Sequence, residues 1–335
     1  MAQLANTFET YDAVGNREEL ADTIYNQTPE ETPFLSLIGR KSIKSVHPEW
    51  QIDTLASPDT ANNQPEGNDW SYDAVTATSR VGNYAQISDK TVIVSRTQDV
   101  TDKAGRKSEL AYQVAKKGSE LKIDMEVILL SNQASLAGSG NGATNRKLGG
   151  FRAWIATNDD LGATGSSGGF NSSTSVVDAA TNGTQRAFTK AIMDSVILST
   201  YNAGGSPNTI MVSPYVKTVF SRFLDDADVV PLRKEQGKGQ ATLVAAADAY
   251  LSDFGLMTVV PNRQMARAGA TIARNAFFID PKMVNVGIFD DIQLHKPAKT
   301  GDAEKRVLNV EYTLVVKNEA AHGVAADLYG LTAST

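Results

Sequence analysis

The sequence predicts an elongated α+β protein, and three observations carry that prediction. Leu308, Val310, Tyr312, Leu314 and Val316 alternate with Asn309, Glu311, Thr313, Val315 and Lys317, the period of a half-buried strand. Leu110, Val114, Gly118, Leu121, Met125, Ile128 and Leu136 recur at three- or four-residue intervals, with one turn left polar at Asn132. Between residues 42 and 101, two blocks rich in β-branched and aromatic residues flank SPDTANNQPEGN at 57–68, a run of turn chemistry. The 335 residues suffice for about two domains or one elaborated one. With 41% hydrophobic and 21% charged residues, a wholly disordered or fibrous chain is excluded.

Taken from the N-terminus, TPEETPFLSLIGR at 28–40 reads as an extended arm with one anchor point. Pro29 and Pro33 disfavour helix in the residues before them, and Phe34, Leu35, Leu37 and Ile38 form an apolar cluster that needs a surface to bury against, which for an arm another subunit can supply. Residues 42–101 alternate imperfectly and place polar groups on both faces, as in a long polar hairpin with little core of its own; Asn62, Asn63, Gln64, Glu66 and Asn68 mark its tip. The helical period at 102–136 implies a spine on the order of 50 Å long. Residues 138–183, dominated by small and polar residues, read as a surface excursion pinned by Phe151 and Trp154. Residues 186–201 are helical by pattern and 209–212 make a short strand. Ser213 then caps a helix with Pro214 at its first position and Val216, Phe220 and Phe223 on one face. Further strands at 255–261 and 276–279 make this central region mixed α/β. Residues 320–328 are expected to return beside the 308–317 strand.

Catalytic signatures fail their context. GSSGG at 165–169 matches the nucleophile-elbow pattern around Ser167, but neither a strand before it nor a helix after it is indicated. Asp253, Phe254 and Gly255 spell a kinase tripeptide without the remaining kinase elements, and Gly138, Gly140 and Ala143 follow a helix where a dinucleotide loop follows a strand. The groups Asp225, Asp226 and Asp228, or Asp290 and Asp291, lack the spacing of a calcium loop, and His47, His295 and His322 are far apart in the chain. Sequons at Asn26, Asn171 and Asn182 matter only for a secreted chain. No cysteine is present, which removes disulfides and thiolate chemistry, and neither a secretory signal nor an apolar run of membrane-spanning length is found. Net charge is −6, so only local basic clusters remain for polyanions: Arg40, Lys41 and Lys44; Arg146 and Lys147; Lys299, Lys305 and Arg306.

Arm, polar hairpin, spine, α/β domain and terminal strands together resemble the HK97-like fold of tailed-phage major capsid proteins. The runs YLSDFGLMTVVPNR (250–263), FFIDPKMVNVGIFDDIQLHKPAKTGDAEKRVLNVEYTLVVKNEAAHGVAADL (277–328), TPFLSLIG (32–39) and GGFRAWIATN (149–158) are similar to that class along nearly the whole chain. The resemblance implies an N-terminal arm at 1–45 and an extended loop at 46–101 that overlaps a neighbouring subunit. It implies a peripheral domain made of 102–185, with the spine, and of 301–335, and an axial domain at 186–300. It further implies a non-enzymatic subunit without cofactors that self-assembles through hexamers and pentamers into an icosahedral shell around double-stranded DNA. Phe34, Leu35, Leu37, Ile38, Asn62, Asn63, Gln64, Glu66 and Asn68 are then the expected inter-subunit contacts, and packaged DNA is touched non-specifically at the inner face. Because the arm begins almost at Met1, a separate scaffolding protein, or none, is expected, alongside portal and decoration proteins. Some relatives crosslink Lys to Asn across subunits; Lys317 and Asn318 are present, but no motif assigns such a bond. An encapsulin-like compartment, a hydrolase using Ser167 and a decoration or tail protein are the alternatives.

Overall fold

The computed structural model describes residues 28–331 apart from 71, 141 and 226–247. The first 27 residues of the expected arm, the sequon at Asn26, and Asp226 and Asp228 lie outside the described residues. In chain order, helix α1 (Pro33–Leu37) runs into β1 (Gly39–Ser42), and β2 (Glu49–Ile52) precedes β3 (Ser79–Gly82). Next come β4 (Gln86–Ser95), α2 (Arg96–Val100), α3 (Glu109–Leu130) and α4 (Phe151–Trp154). The short strands β5 (Asp159–Asp160), β6 (Gly169–Asn171), β7 (Val176–Asp178) and β8 (Arg186–Ala187) follow. The central region holds α5 (Lys190–Asn202), β9 (Thr209–Val212), α6 (Pro214–Ser221), β10 (Ala249–Ser252), β11 (Gly255–Pro261), α7 (Arg263–Arg267), α8 (Ala270–Ala273) and β12 (Ala276–Ile279). The chain closes with β13 (Val284–His295), β14 (Ala303–Val316), β15 (Gly323–Ala325) and β16 (Leu328–Gly330).

Two sheets organise the molecule. One has four strands in the order β1-β13-β14-β4, and the other six in the order β10-β11-β9-β12-β15-β5. The six-stranded sheet is a wall between two cores. Met211, Phe277, Ile279 and Val324 face the core that contains α3, α4 and β14, whereas Ile210, Val212, Ala276, Phe278 and Ala325 face the one beneath α5 and α6. Burial on both faces explains why TIMV and AFFI are continuous apolar runs without alternation.

Helix α3 is 22 residues, about 33 Å, and not the longer spine that periodicity implies. Its start is set by two caps: Ser108 Oγ accepts from the Ala111 amide at 3.3 Å, and Asp99 Oδ1 accepts from the Glu109 and Leu110 amides at 3.0 and 3.3 Å. Beyond Ser131 the chain is extended, and Leu136 sits in a β-bridge with Lys147. At the far end, Gly150 opens α4 so close to α3 that a Cβ there would lie 2.1 Å from the Ser131 carbonyl oxygen. The excursion at 138–183 is thus pinned as expected at Phe151 and Trp154, both buried. Arg152 on the same turn is buried too, with Asp159 and Asp327 as its countercharges; burial lowers its pKa.

Three expectations change. The partner of β14 is β13, antiparallel over most of its length, with β4 on its other side; the expected return at 320–328 instead sends β15 into the six-stranded sheet between β12 and β5. The boundary expected at residue 300 therefore falls in the turn of a hairpin whose two strands share one sheet. The long polar hairpin pairs only between β2 and β3, because β4 leaves it for β14. Finally, residues 33–37 make one helical turn with Pro33 in its first turn, where the missing N–H costs nothing, and not an extended segment. Asp290 and Asp291 sit where the β13–β14 register slips, an exposed bulge.

Candidate assembly interface

The segment around α1 is joined to its own subunit by a carboxylate. Glu126, buried on α3, accepts from the amides of Phe34 at 2.7 Å and Leu35 at 2.8 Å, and from Asn262 Nδ2 at 2.7 Å. Gln264 Nε2 adds bonds to the carbonyls of Pro29 and Glu31, each at 3.0 Å. Burial raises the pKa of Glu126, and the three donors offset part of that rise. The Phe34 ring packs tilted against Phe151 with centroids 5.4 Å apart and has no exposed surface; Ile38 is buried in the same core. Both are thus core residues of their own subunit, which leaves Phe34 no accessible surface and Ile38 little to offer a neighbour. Leu35 and Leu37 are half-buried against the same core. Glu126→Ala should orphan three donors and cost about 2 kcal/mol. Faster hydrogen exchange at the Phe34 and Leu35 amides than in wild type, with β14 still protected, checks this; unchanged exchange at both amides would refute it.

The hairpin is rigid at its root. Trp50 stacks on Trp154 at 5.7 Å and His47 on Tyr84 at 4.1 Å. Buried Asn83 donates through Nδ2 to the carbonyls of Gly149 at 3.1 Å and Leu314 at 2.9 Å, while its Oδ1 accepts from the Gly149 amide at 2.7 Å. Burial lowers the pKa of His47, so the ring that stacks there is neutral near pH 7.

Past that root, every described residue from 53 to 78 is exposed. Asn62, Asn63, Gln64, Glu66 and Asn68 do lie here, with Asn68 Nδ2 donating to Gln64 Oε1 at 2.6 Å. The same loop carries Leu55, Trp70, Tyr72 and Val75 at 98, 84, 93 and 97% exposure. Sequence reasoning missed these four; large apolar side chains interrupting a turn-rich polar run were the signal. Exposed apolar side chains grouped on one loop are the composition of an interaction surface.

The remaining motifs resolve into local structure. Ser167 Oγ donates to Asp159 Oδ1 at 3.0 Å, and Phe254 stacks on Tyr201 at 4.4 Å in the β10–β11 turn, where Gly255 has φ 140°. His322 is buried edge-on to Phe151. Arg146 pairs with Glu311 at 2.8 Å, and Lys299 and Arg306 pair with Glu304, each at 3.2 Å. Among the described residues, no group of three His, Cys, Asp or Glu side chains is placed to hold a metal, and no helix is long and apolar enough to cross a membrane.

Comparison with known proteins covers the same span as this architecture. A family model described as the SU10 major capsid protein matches residues 4–329. The major capsid protein of Escherichia phage Phieco32 is 27% identical over 98% of both chains. Among solved structures, the capsid of a native GTA particle superposes with a TM-score of 0.60 at 14% identity, covering 95% of this chain and 97% of that one. The SrpI encapsulin of Synechococcus elongatus superposes at 0.55 and 9% identity, over 96% and 95%. These structural likenesses show an HK97-like fold, which phage capsids and encapsulins share; the sequence match decides between them, and the chain belongs to the SU10 major capsid protein family.

Proposed function

We propose that this chain is the shell subunit of a tailed phage, assembling through hexamers and pentamers into a closed icosahedral head around double-stranded DNA. The observation that carries this reading is the whole-chain family match, joined to a clamped loop whose apolar side chains are exposed among the described residues. A hairpin that pairs over four residues and then projects an exposed loop gains its order from a neighbour, so subunit stability becomes dependent on protein concentration. The subunit performs no catalytic step and needs no cofactor. Leu35, Leu37, Asn62, Asn63, Gln64, Glu66 and Asn68 remain the proposed contact residues. A scaffolding protein, a portal and decoration proteins are the further partners, and packaged DNA meets local basic groups at the inner face without sequence reading.

Negative-stain electron microscopy with sedimentation velocity on the purified protein tests this. Uniform closed shells, or hexamer and pentamer rings, are expected. A strictly monomeric species across a hundredfold concentration range, unchanged when virion proteins are co-expressed, would overturn it. Nucleic acid inside particles from infected cells separates a phage head from an encapsulin, which would hold a cargo protein.

A further inference from the structure

The exposed loop is not only apolar but acidic. Residues 53–78 contain Asp53, Asp59, Glu66, Asp69 and Asp73 and no Lys or Arg, so this one loop holds five of the six net negative charges of the chain. Asp69 and Asp73 bracket Trp70 and Tyr72 in sequence.

The opposite charge is concentrated elsewhere on the same subunit. At the turn between β13 and β14, Lys296, Lys299, Lys305 and Arg306 are joined by Arg96 from the end of β4, against Asp302 and Glu304. Arg96 Nε pairs with Asp302 at 2.9 Å. Glu304 alone serves three cations, Lys299 and Arg306 at 3.2 Å and Lys296 at 3.9 Å, and Lys305 turns to the Thr300 hydroxyl. Cations outnumber carboxylates five to two, and residues 293–302 are exposed.

We infer that the acidic loop of one subunit docks on the basic β13–β14 turn of a second copy, Asp69 and Asp73 facing Lys296 and Lys299 while Trp70 and Tyr72 lie against the lysine and arginine stems. This rests on the shell-subunit reading and names the partner surface of its loop. Near-complete exposure of Leu55, Tyr72 and Val75 leaves the loop without an occupant among the described residues, and the complementary charge supplies the occupant from an identical chain. A contact between two different patches is heterologous, the type that propagates around a ring. Aromatic faces beside carboxylates suit cationic stems twice over, by charge and by ring quadrupole. Exposed charges are screened within about 8–10 Å at ordinary salt, so the contact weakens with ionic strength. The competing basic surface is β1 and the residues after it, where Arg40, Lys41 and Lys44 are exposed.

Charge exchange separates the possibilities. The loop variant Asp69→Lys with Asp73→Lys should raise the concentration needed for half-assembly by about tenfold, with an unchanged melt of the unassembled subunit. Adding Lys296→Glu and Lys299→Glu should restore assembly. Because the chain has no cysteine, co-assembled Asp73→Cys and Lys299→Cys subunits should form a disulfide-linked dimer under oxidation, seen on a non-reducing gel. Restoration by Arg40→Glu, Lys41→Glu and Lys44→Glu in place of the turn substitutions overturns the assignment, as does a loop variant that assembles like wild type. Wild-type protein that forms no shell overturns the shell-subunit reading itself, whereas shells formed equally by wild type and variant overturn only the docking.

Discussion

Phe151→Ala is expected to destabilise the unassembled subunit by about 4 kcal/mol, read as a lower urea midpoint at unchanged slope. Phe151 is fully buried where three parts of the chain converge: its ring lies 5.4 Å from Phe34, 5.5 Å from Phe277 and 5.1 Å from His322. Truncation removes the transfer free energy of the ring and leaves a cavity lined by α1, β12 and the segment before β15. Gly150 limits how far that cavity can collapse, because α4 is already in backbone contact with the end of α3. Phe151→Leu keeps most of the buried area and should cost less than half as much. A loss below about 1 kcal/mol for the alanine variant would mean that the two sheets and α1 are held together elsewhere.

Acid should act on the same place through His322. Burial pushes its imidazole down to about 4, with a smaller opposing contribution from the Met283 backbone, and Nδ1 accepts from the Asp280 amide at 3.2 Å. Between about pH 4 and 6.5 the unfolded chain binds a proton that the folded chain refuses, so stability rises with pH across that window. The contribution is complete above the ordinary histidine value of about 6.5 and is lost as pH falls towards 4, a difference on the order of 3 kcal/mol. Carboxylates titrate in the same range, so the decisive quantity is a difference between proteins. His322→Gln cannot titrate and retains an acceptor; its stability should fall less steeply from pH 6.5 to 4 than that of wild type. Parallel profiles for the two proteins would show that His322 is not the responsible group.

Local signals were legible wherever a short stretch of chain sets its own conformation. Ser213 followed by Pro214 starts α6, its hydroxyl accepting from the Val216 amide at 3.4 Å. The strands at 209–212, 255–261 and 276–279 stand where apolar, β-branched runs meet turn residues. The alternation at 308–316 is β14, although Thr313 and Val315 are buried as well, because a second layer covers that end. The helical period overran α3 at both ends, since it contains no record of the caps at Asp99 and Ser108 or of the isolated β-bridge that pairs Leu136 with Lys147.

For the assembly surface the division is similar. The turn chemistry of 57–68 and the acidic skew of 53–78 can be counted in the sequence alone, and so can the demand of Phe34, Leu35, Leu37 and Ile38 for burial. Only the tertiary structure decided that Glu126, 92 residues from Phe34, draws that cluster into its own subunit, and that Leu55, Trp70, Tyr72 and Val75 are left outside. It also decided that β13 pairs with β14 while β15 crosses to the other sheet. Periodicity reports which face of an element is apolar, a property of neighbours in sequence. Which faces meet depends on loop closure and packing between residues far apart, and that information belongs to the fold as a whole.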